Sequence, residues 1–280
     1  MTIQWPLAIF TLLAGCGGWL LVWIGVNEFT DKVNDPKLRF KELITVIVLA
    51  VAGGISSSMH LTHVDRMMGA LSRPASAIFT EAVMVGLITL LCIIYLVMAK
   101  REASKGTLKV LAAIGIVFGV VISYATGAGY MMSSQPNWAT ILMPIGYMTT
   151  AAAAGTALYL LFVAISKGDN KADALKFSGT CALIAGIVAA VVATIYGAVQ
   201  GVFGIANALS LYLVCLVGCL GVALCGFLAS KREQQTLAVV AVIFGVAASL
   251  GFRCFMFVCG TGLITLISNA DGVLHFFGTI

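Results

Sequence analysis

The sequence predicts an all-α, polytopic membrane protein: a bundle of eight transmembrane helices with the N and C termini outside. Three observations predict it. Hydrophobic residues fill 61% of the 280 positions and charged residues only 10%, with a mean hydropathy of +1.07. Apolar runs of about twenty residues recur along the chain, the length a helix needs to cross a ~30 Å hydrocarbon core. The charges gather in the short polar gaps between those runs, as they must when only a self-satisfied backbone can sit in lipid.

The spans are expected near 7–26, 43–59, 78–99, 110–130, 139–165, 178–199, 208–229 and 236–258. The first has no Lys or Arg before Lys32, so it reads as a span and not as a cleaved signal peptide, whose leading segment is basic. The second is the shortest. The third opens on Glu81, and the fourth carries Gly115 and Gly119 four residues apart, a spacing that lets helices approach closely. The fifth holds Pro144 near its start, the sixth runs into a second small pair, Gly197 and Gly201, the seventh carries Cys215, Cys219 and Cys225, and the eighth contains Arg253.

Sidedness follows from the gaps. Lys32, Lys37, Arg39 and Lys41, then Lys100, Arg101, Lys105 and Lys109, then Lys167, Lys171 and Lys176, then Lys231 and Arg232 fall in alternate gaps, thirteen cations on one side. The other gaps hold only Arg66 and Arg73. The positive-inside rule therefore places the termini outside. The remaining gaps are too short for a soluble domain, so residues 1–280 read as a single transmembrane domain, and soluble chemistry belongs to a partner. The net charge of +5 reports topology, not nucleic-acid binding.

The eight cysteines lie in or beside spans without a C-x-x-C pair and read as small apolar packing residues, not as a metal site. Polar residues converge in one place. The gap after the second span, SSMHLTHVDRMMGALSRPASAIFTE, holds His60, His63, Asp65, Arg66, Arg73 and Glu81. An imidazole, a carboxylate and two arginines at one membrane face can accept and pass protons. Each has a plainer reading: Glu81 complements a helix N-terminus, and the histidines are solvated at the interface. Two histidines make a weak metal motif, and a b-type haem needs axial ligands within the spans, so neither metal nor haem is expected in this chain.

These residues resemble a family, the membrane-anchor subunits of dimethyl-sulfoxide-reductase-type molybdoenzymes. Three stretches carry the resemblance: WPLAIFT from Trp5 to Thr11; SMHL with Asp65 and Arg66, then LSRPAS and Glu81; and PNWATILMPIG, with Trp138 six residues before Pro144, Ile145 and Gly146. The resemblance implies a non-catalytic subunit in a bacterial cytoplasmic (inner) membrane that binds an iron-sulfur electron-transfer subunit and a molybdopterin catalytic subunit. Its substrate would be menaquinol from the quinone pool, whose electrons it passes to the iron-sulfur subunit. His60 and Glu81 match the residues linked with quinol binding and proton transfer, with Arg66, Arg73, Asp65 and Arg253 supporting. Around Arg253 the sequence departs from the family's pattern, because Ser249 stands where an acid is expected. Two other readings compete: a purely structural anchor with a decayed quinol site, and an unrelated polytopic transporter, for which midspan charge and inverted repeats would be the signature.

Overall fold

The structure, a computed structural model, describes residues 3–33, 35–59, 69, 77–132, 135, 137–167 and 170–260. Eight long helices follow one another: α1 (Trp5–Thr30), α2 (Pro36–Ser58), α3 (Ala77–Lys100), α4 (Lys105–Ala128), α5 (Leu142–Ile165), α6 (Lys171–Val199), α7 (Ala206–Ala229) and α8 (Gln235–Cys259), with one 3₁₀ turn at Val202–Gly204. There is no strand among the described residues. Seven of these helices are long and apolar enough to cross a membrane; α2 is the exception. Its first two turns carry Lys37, Arg39, Lys41 and Glu42, which extend the helix beyond the apolar run that starts at Leu43.

Local chemistry fixes the helix starts. Asp35 caps α2 by accepting from the amides of Lys37 and Leu38, with Pro36 in the first turn, where no amide is needed. Ser104 caps α4 through the amide of Thr107. Asn27 clamps the turn after α1 by bonding both the amide and the carbonyl of Val33.

The helices form two consecutive four-membered rings. In the first, α1 packs on α2, α2 on α3, α3 on α4 and α4 back on α1; in the second, α5, α6, α7 and α8 close in the same order. Consecutive helices within each ring are antiparallel, while α1 and α5 run parallel across the seam between the rings, which α4–α5 and α1–α8 contacts flank. The sequence shows no repeat that announces this doubling. We call the end where α1, α3, α5 and α7 begin the head end, and the opposite one the tail end.

Close approach depends on small residues. Gly18 of α1 and Gly119 of α4 sit back to back, and a methyl on Gly18 would lie 2.8 Å from the Gly119 carbonyl oxygen. The expected Gly115–Gly119 pair therefore faces α1, with Gly115 against Leu21. Of the Gly197–Gly201 pair, Gly197 faces another helix, against Tyr212 of α7, and Gly201 does not. Gly201 lies beyond the end of α6 at φ 66°, with open space around it, and serves the left-handed turn into the 3₁₀ segment. Seven cysteines are buried and Cys181 is half-buried; all eight are free thiols in apolar packing.

Candidate functional site

Arg253 organises the head end. It lies in α8, fully buried, where apolar patterning gives no room for a charge. An arginine inside a membrane bundle is costly and is held only by a purpose-built shell. Here the shell comes from three helices. Nε donates to the Thr11 hydroxyl of α1 at 2.7 Å, Nη2 to the Thr11 carbonyl at 2.9 Å, and Nη1 to both the hydroxyl and the carbonyl of Ser249 one turn back on α8. The guanidinium also rests on the Tyr147 ring of α5, 4.5 Å from its centroid, an arrangement that stabilises a desolvated cation.

Thr11 belongs to the WPLAIFT stretch, and Tyr147 follows directly on Pro144-Ile145-Gly146, so two motifs far apart in sequence meet on Arg253. Ser249, in the expected acid's place, supplies neutral oxygens. The charge of Arg253 therefore has no carboxylate partner among the described residues. Five N–H groups make four bonds to neutral acceptors, leaving one Nη2 hydrogen without a partner among those residues.

The third motif is explained by architecture. Trp138 is buried and donates from Nε1 to the Met256 carbonyl at 3.1 Å, and Asn137 donates to the Cys259 carbonyl at 2.8 Å. The α4–α5 connection thus caps the exposed carbonyls at the C-terminal end of α8. Gly146 leaves space for the ring of Phe252, the neighbour of Arg253.

A tyrosine pair extends this shell. Tyr130, just past α4, packs tilted at 5.5 Å against Tyr147 and edge-on against Trp138 and Phe257. It lies within electrostatic reach of both Arg253 and Glu81. Glu81 itself is half-buried on the second turn of α3, at the same end. The expected residues Glu81 and Arg253 therefore share one end of the molecule, and beside Arg253 stand two tyrosines that the sequence does not single out. His60, His63, Asp65, Arg66 and Arg73 lie outside the described residues. Among the described residues no three His, Cys, Asp or Glu side chains gather as a metal site.

The tail end has a polar cluster of its own. Glu28 of α1 is buried and accepts from Arg39 of α2 at 3.0 Å and from the Tyr95 hydroxyl of α3 at 2.9 Å. Glu42 of α2 is buried one turn further in, with Oε1 unpartnered among the described residues. A cavity of about 300 Å³ bordered by Glu28, Asp31, Arg39, Lys105, Lys109 and Asn170 opens beside this cluster. At mid-depth a second cavity, about 420 Å³ and almost wholly apolar, lies between α1, α5 and α6 against Trp19, Trp23 and Met148.

Comparison with known proteins gives one family and three relatives. The family described as DMSO reductase anchor subunit (DmsC) matches residues 1–250. The sequence is 23% identical over 254 residues to the C subunit of anaerobic dimethyl sulfoxide reductase from Escherichia coli strain K12, covering 86% of this protein and 88% of that one. It is 27% identical over 166 residues to the C subunit of the same-named enzyme from Haemophilus influenzae strain ATCC 51907, covering 56% and 58%. The YnfH subunit of an anaerobic dimethyl sulfoxide reductase, also from Escherichia coli strain K12, is 24% identical over 160 residues, covering 55% and 56%.

Proposed function

Because the chain belongs to the DMSO reductase anchor subunit family, a multi-pass membrane anchor of a molybdoenzyme complex, we propose that it oxidises menaquinol at its head end and passes the electrons to an iron-sulfur partner docked there. The head end is the outer face of a bacterial cytoplasmic membrane in this reading. All eight helices span, α2 included, since its basic first turns sit at the tail end with the other cations. Residues 1–280 act as one transmembrane unit.

The observation that carries the reading is the convergence at one end of the bundle of Glu81, Tyr130, Tyr147 and a fully buried Arg253 that has no carboxylate partner among the described residues. Quinol oxidation releases two electrons and two protons. His60 accepts a quinol proton through a hydrogen bond, and Glu81 takes it onward or orients the imidazole. Asp65, Arg66 and Arg73 support the loop between α2 and α3. The rest of the chain supplies the scaffold; the redox centres belong to the iron-sulfur and molybdopterin partners, and this chain binds neither haem nor metal.

Exposed apolar residues at the head end fit a docking role. Met131, Met132 and Ile141 flank the α4–α5 connection, and Phe203 and Ile205 the α6–α7 connection. Stable interfaces bury ~1,200–2,000 Å² in total. Charged substitutions at Met132 and Ile141 should release the partner subunits from membranes, measured by their recovery with this chain in mild detergent. Unchanged recovery removes this surface from the interface. A transporter finds no support in the charge pattern: Arg253 lies about two helical turns from one end, not at the midplane.

A further inference from the structure

The cavity of about 420 Å³ between α1, α5 and α6 is walled almost wholly by carbon, yet two of the residues that line it, Trp19 and Thr156, hold hydrogen-bond donors without acceptors. The Trp19 indole N–H is buried and has no acceptor among the described residues. The oxygen of the buried Thr156 accepts from Trp23 Nε1 at 2.8 Å, and its own hydroxyl hydrogen finds no acceptor among those residues. Buried donors are nearly always paired, and two left open beside one cavity call for a ligand that accepts.

Depth decides which acceptor can arrive. At 1.5 Å per residue, Trp19 and Thr156 each sit about 21 Å from the head ends of their helices and roughly 14–16 Å from the tail ends. Both lie well inside a ~30 Å hydrocarbon core, whereas the ester and phosphate oxygens of phospholipids stay in the interfacial layers outside it. The acceptor therefore belongs to an apolar molecule that dissolves in the core itself. Its way in is through lipid, because Ile184 and Val188 of α6, which border the cavity, are exposed. Size narrows the choice. An apolar cavity of about 150 Å³ holds benzene, so about 420 Å³ takes a fused two-ring head and the first part of a tail. Trp23 is already packed on Tyr159 and Phe177, but the Trp19 indole has no ring partner among the described residues and is free to pack on such a head.

Resting on the quinol reading above, we propose that this groove is a second quinone site, which holds the oxidised product menaquinone with a ring carbonyl accepting from Trp19 and Thr156. It is distinct from the head-end site. Glu81 lies on the second turn of α3, which does not line the groove, and Trp19 is about 15 Å deeper along the bundle. The redox form follows from the inventory of hydrogen-bonding groups. The open groups are donors, and an indole N–H can only donate, so an oxidised ring, which only accepts, satisfies them, while a reduced ring brings two further donors. The groove thus takes up quinone that has left the head end and favours it over fresh quinol.

The test is photocrosslinking of the intact complex in membranes with a short-tailed menaquinone that carries a diazirine on its tail, the adducts being mapped by mass spectrometry. The second site predicts adducts on the groove residues Met148 and Cys181 that saturating unlabelled menaquinone suppresses and that survive His60→Ala. Ala185→Phe fills the groove from a half-buried position on α6 and should lower these adducts on the order of tenfold or more. Menaquinol, kept reduced by dithionite, should compete about fivefold less well or worse, because its extra donors go unpaired. Adducts that are missing from the groove, unchanged by Ala185→Phe or lost in His60→Ala overturn the second site. So do adducts that unlabelled menaquinone fails to suppress, the result expected if an acyl chain fills the groove, and equal competition by menaquinol overturns the choice of the oxidised ring. Should Ala185→Phe fail to assemble, Val188→Trp on the exposed rim carries the same test. The quinol reading is decided by a different readout, quinol turnover in His60→Ala membranes, so its failure and the failure of the groove are told apart.

Discussion

Gly146→Ala should destabilise the second ring of helices, and the size of the effect follows from contacts. A methyl group at Gly146 would sit 2.5 and 2.8 Å from Cε2 and Cε1 of Phe252, and closer still to Cζ. Carbon atoms rest at about 3.5–4.0 Å, so the ring must retreat by about 1 Å or more. It has nowhere to go. Phe252 is fully buried, with ring centres of Tyr147, Tyr196 and Phe255 at 5.8, 5.3 and 5.1 Å. Overpacking of this kind costs about 1–3 kcal/mol, and the displaced segment of α8 carries Arg253. The matched control is Gly86→Ala on α3, where an added methyl meets nothing within 4 Å. Detergent-denaturation curves of the purified subunit should show Gly146→Ala less stable by roughly that amount and Gly86→Ala within about 0.5 kcal/mol of wild type. Equal stability of the two variants would refute the packing argument and, with it, the placement of α8 against α5 at Arg253.

Two further outcomes are expected. Arg39→Gln leaves the buried Glu28 with Tyr95 as its one hydrogen-bond donor among the described residues and should destabilise the first ring by up to about 3 kcal/mol, less than for a fully buried pair because Arg39 is partly exposed; Glu28→Gln in the same chain should recover part of the loss in the same denaturation assay. Reporter fusions or cysteine labelling at Lys105 and Lys171, both at the tail end, should report cytoplasm; an external location for both would move the proposed quinol site to the inner face.

The helices were legible because a bilayer imposes one length and one polarity on each. The structure lengthens the spans where capping chemistry carries them past the apolar run: 43–59 becomes Pro36–Ser58 because Asp35 caps and Pro36 starts the helix. The pairing of helices was not legible. Apolar faces of membrane helices look alike in sequence, and the two rings are set by glycine and alanine contacts such as Gly18–Gly119 that any small-residue spacing can mimic. Of the site, Arg253 and Glu81 stood out as charges in or beside apolar runs. Tyr130 and Tyr147 did not, since an aromatic residue in a span is ordinary, and only the fold reveals that one underlies a guanidinium. Glu28 and Glu42 flank a basic gap and look in sequence like any loop-side charge. Their burial depends on α1, α2 and α3 meeting at Tyr95.

The central claim is that the head end oxidises menaquinol with His60 and Glu81 as the proton acceptors. The most direct test compares wild-type and His60→Ala complexes in membranes, reading oxidation of a menaquinol analogue beside the partner's turnover of a soluble donor. The account predicts a loss of about 10²- to 10⁴-fold in quinol oxidation with turnover of the soluble donor retained, and Glu81→Gln giving the same split more mildly. Wild-type quinol oxidation by an assembled His60→Ala complex would contradict it and leave the protein a structural anchor.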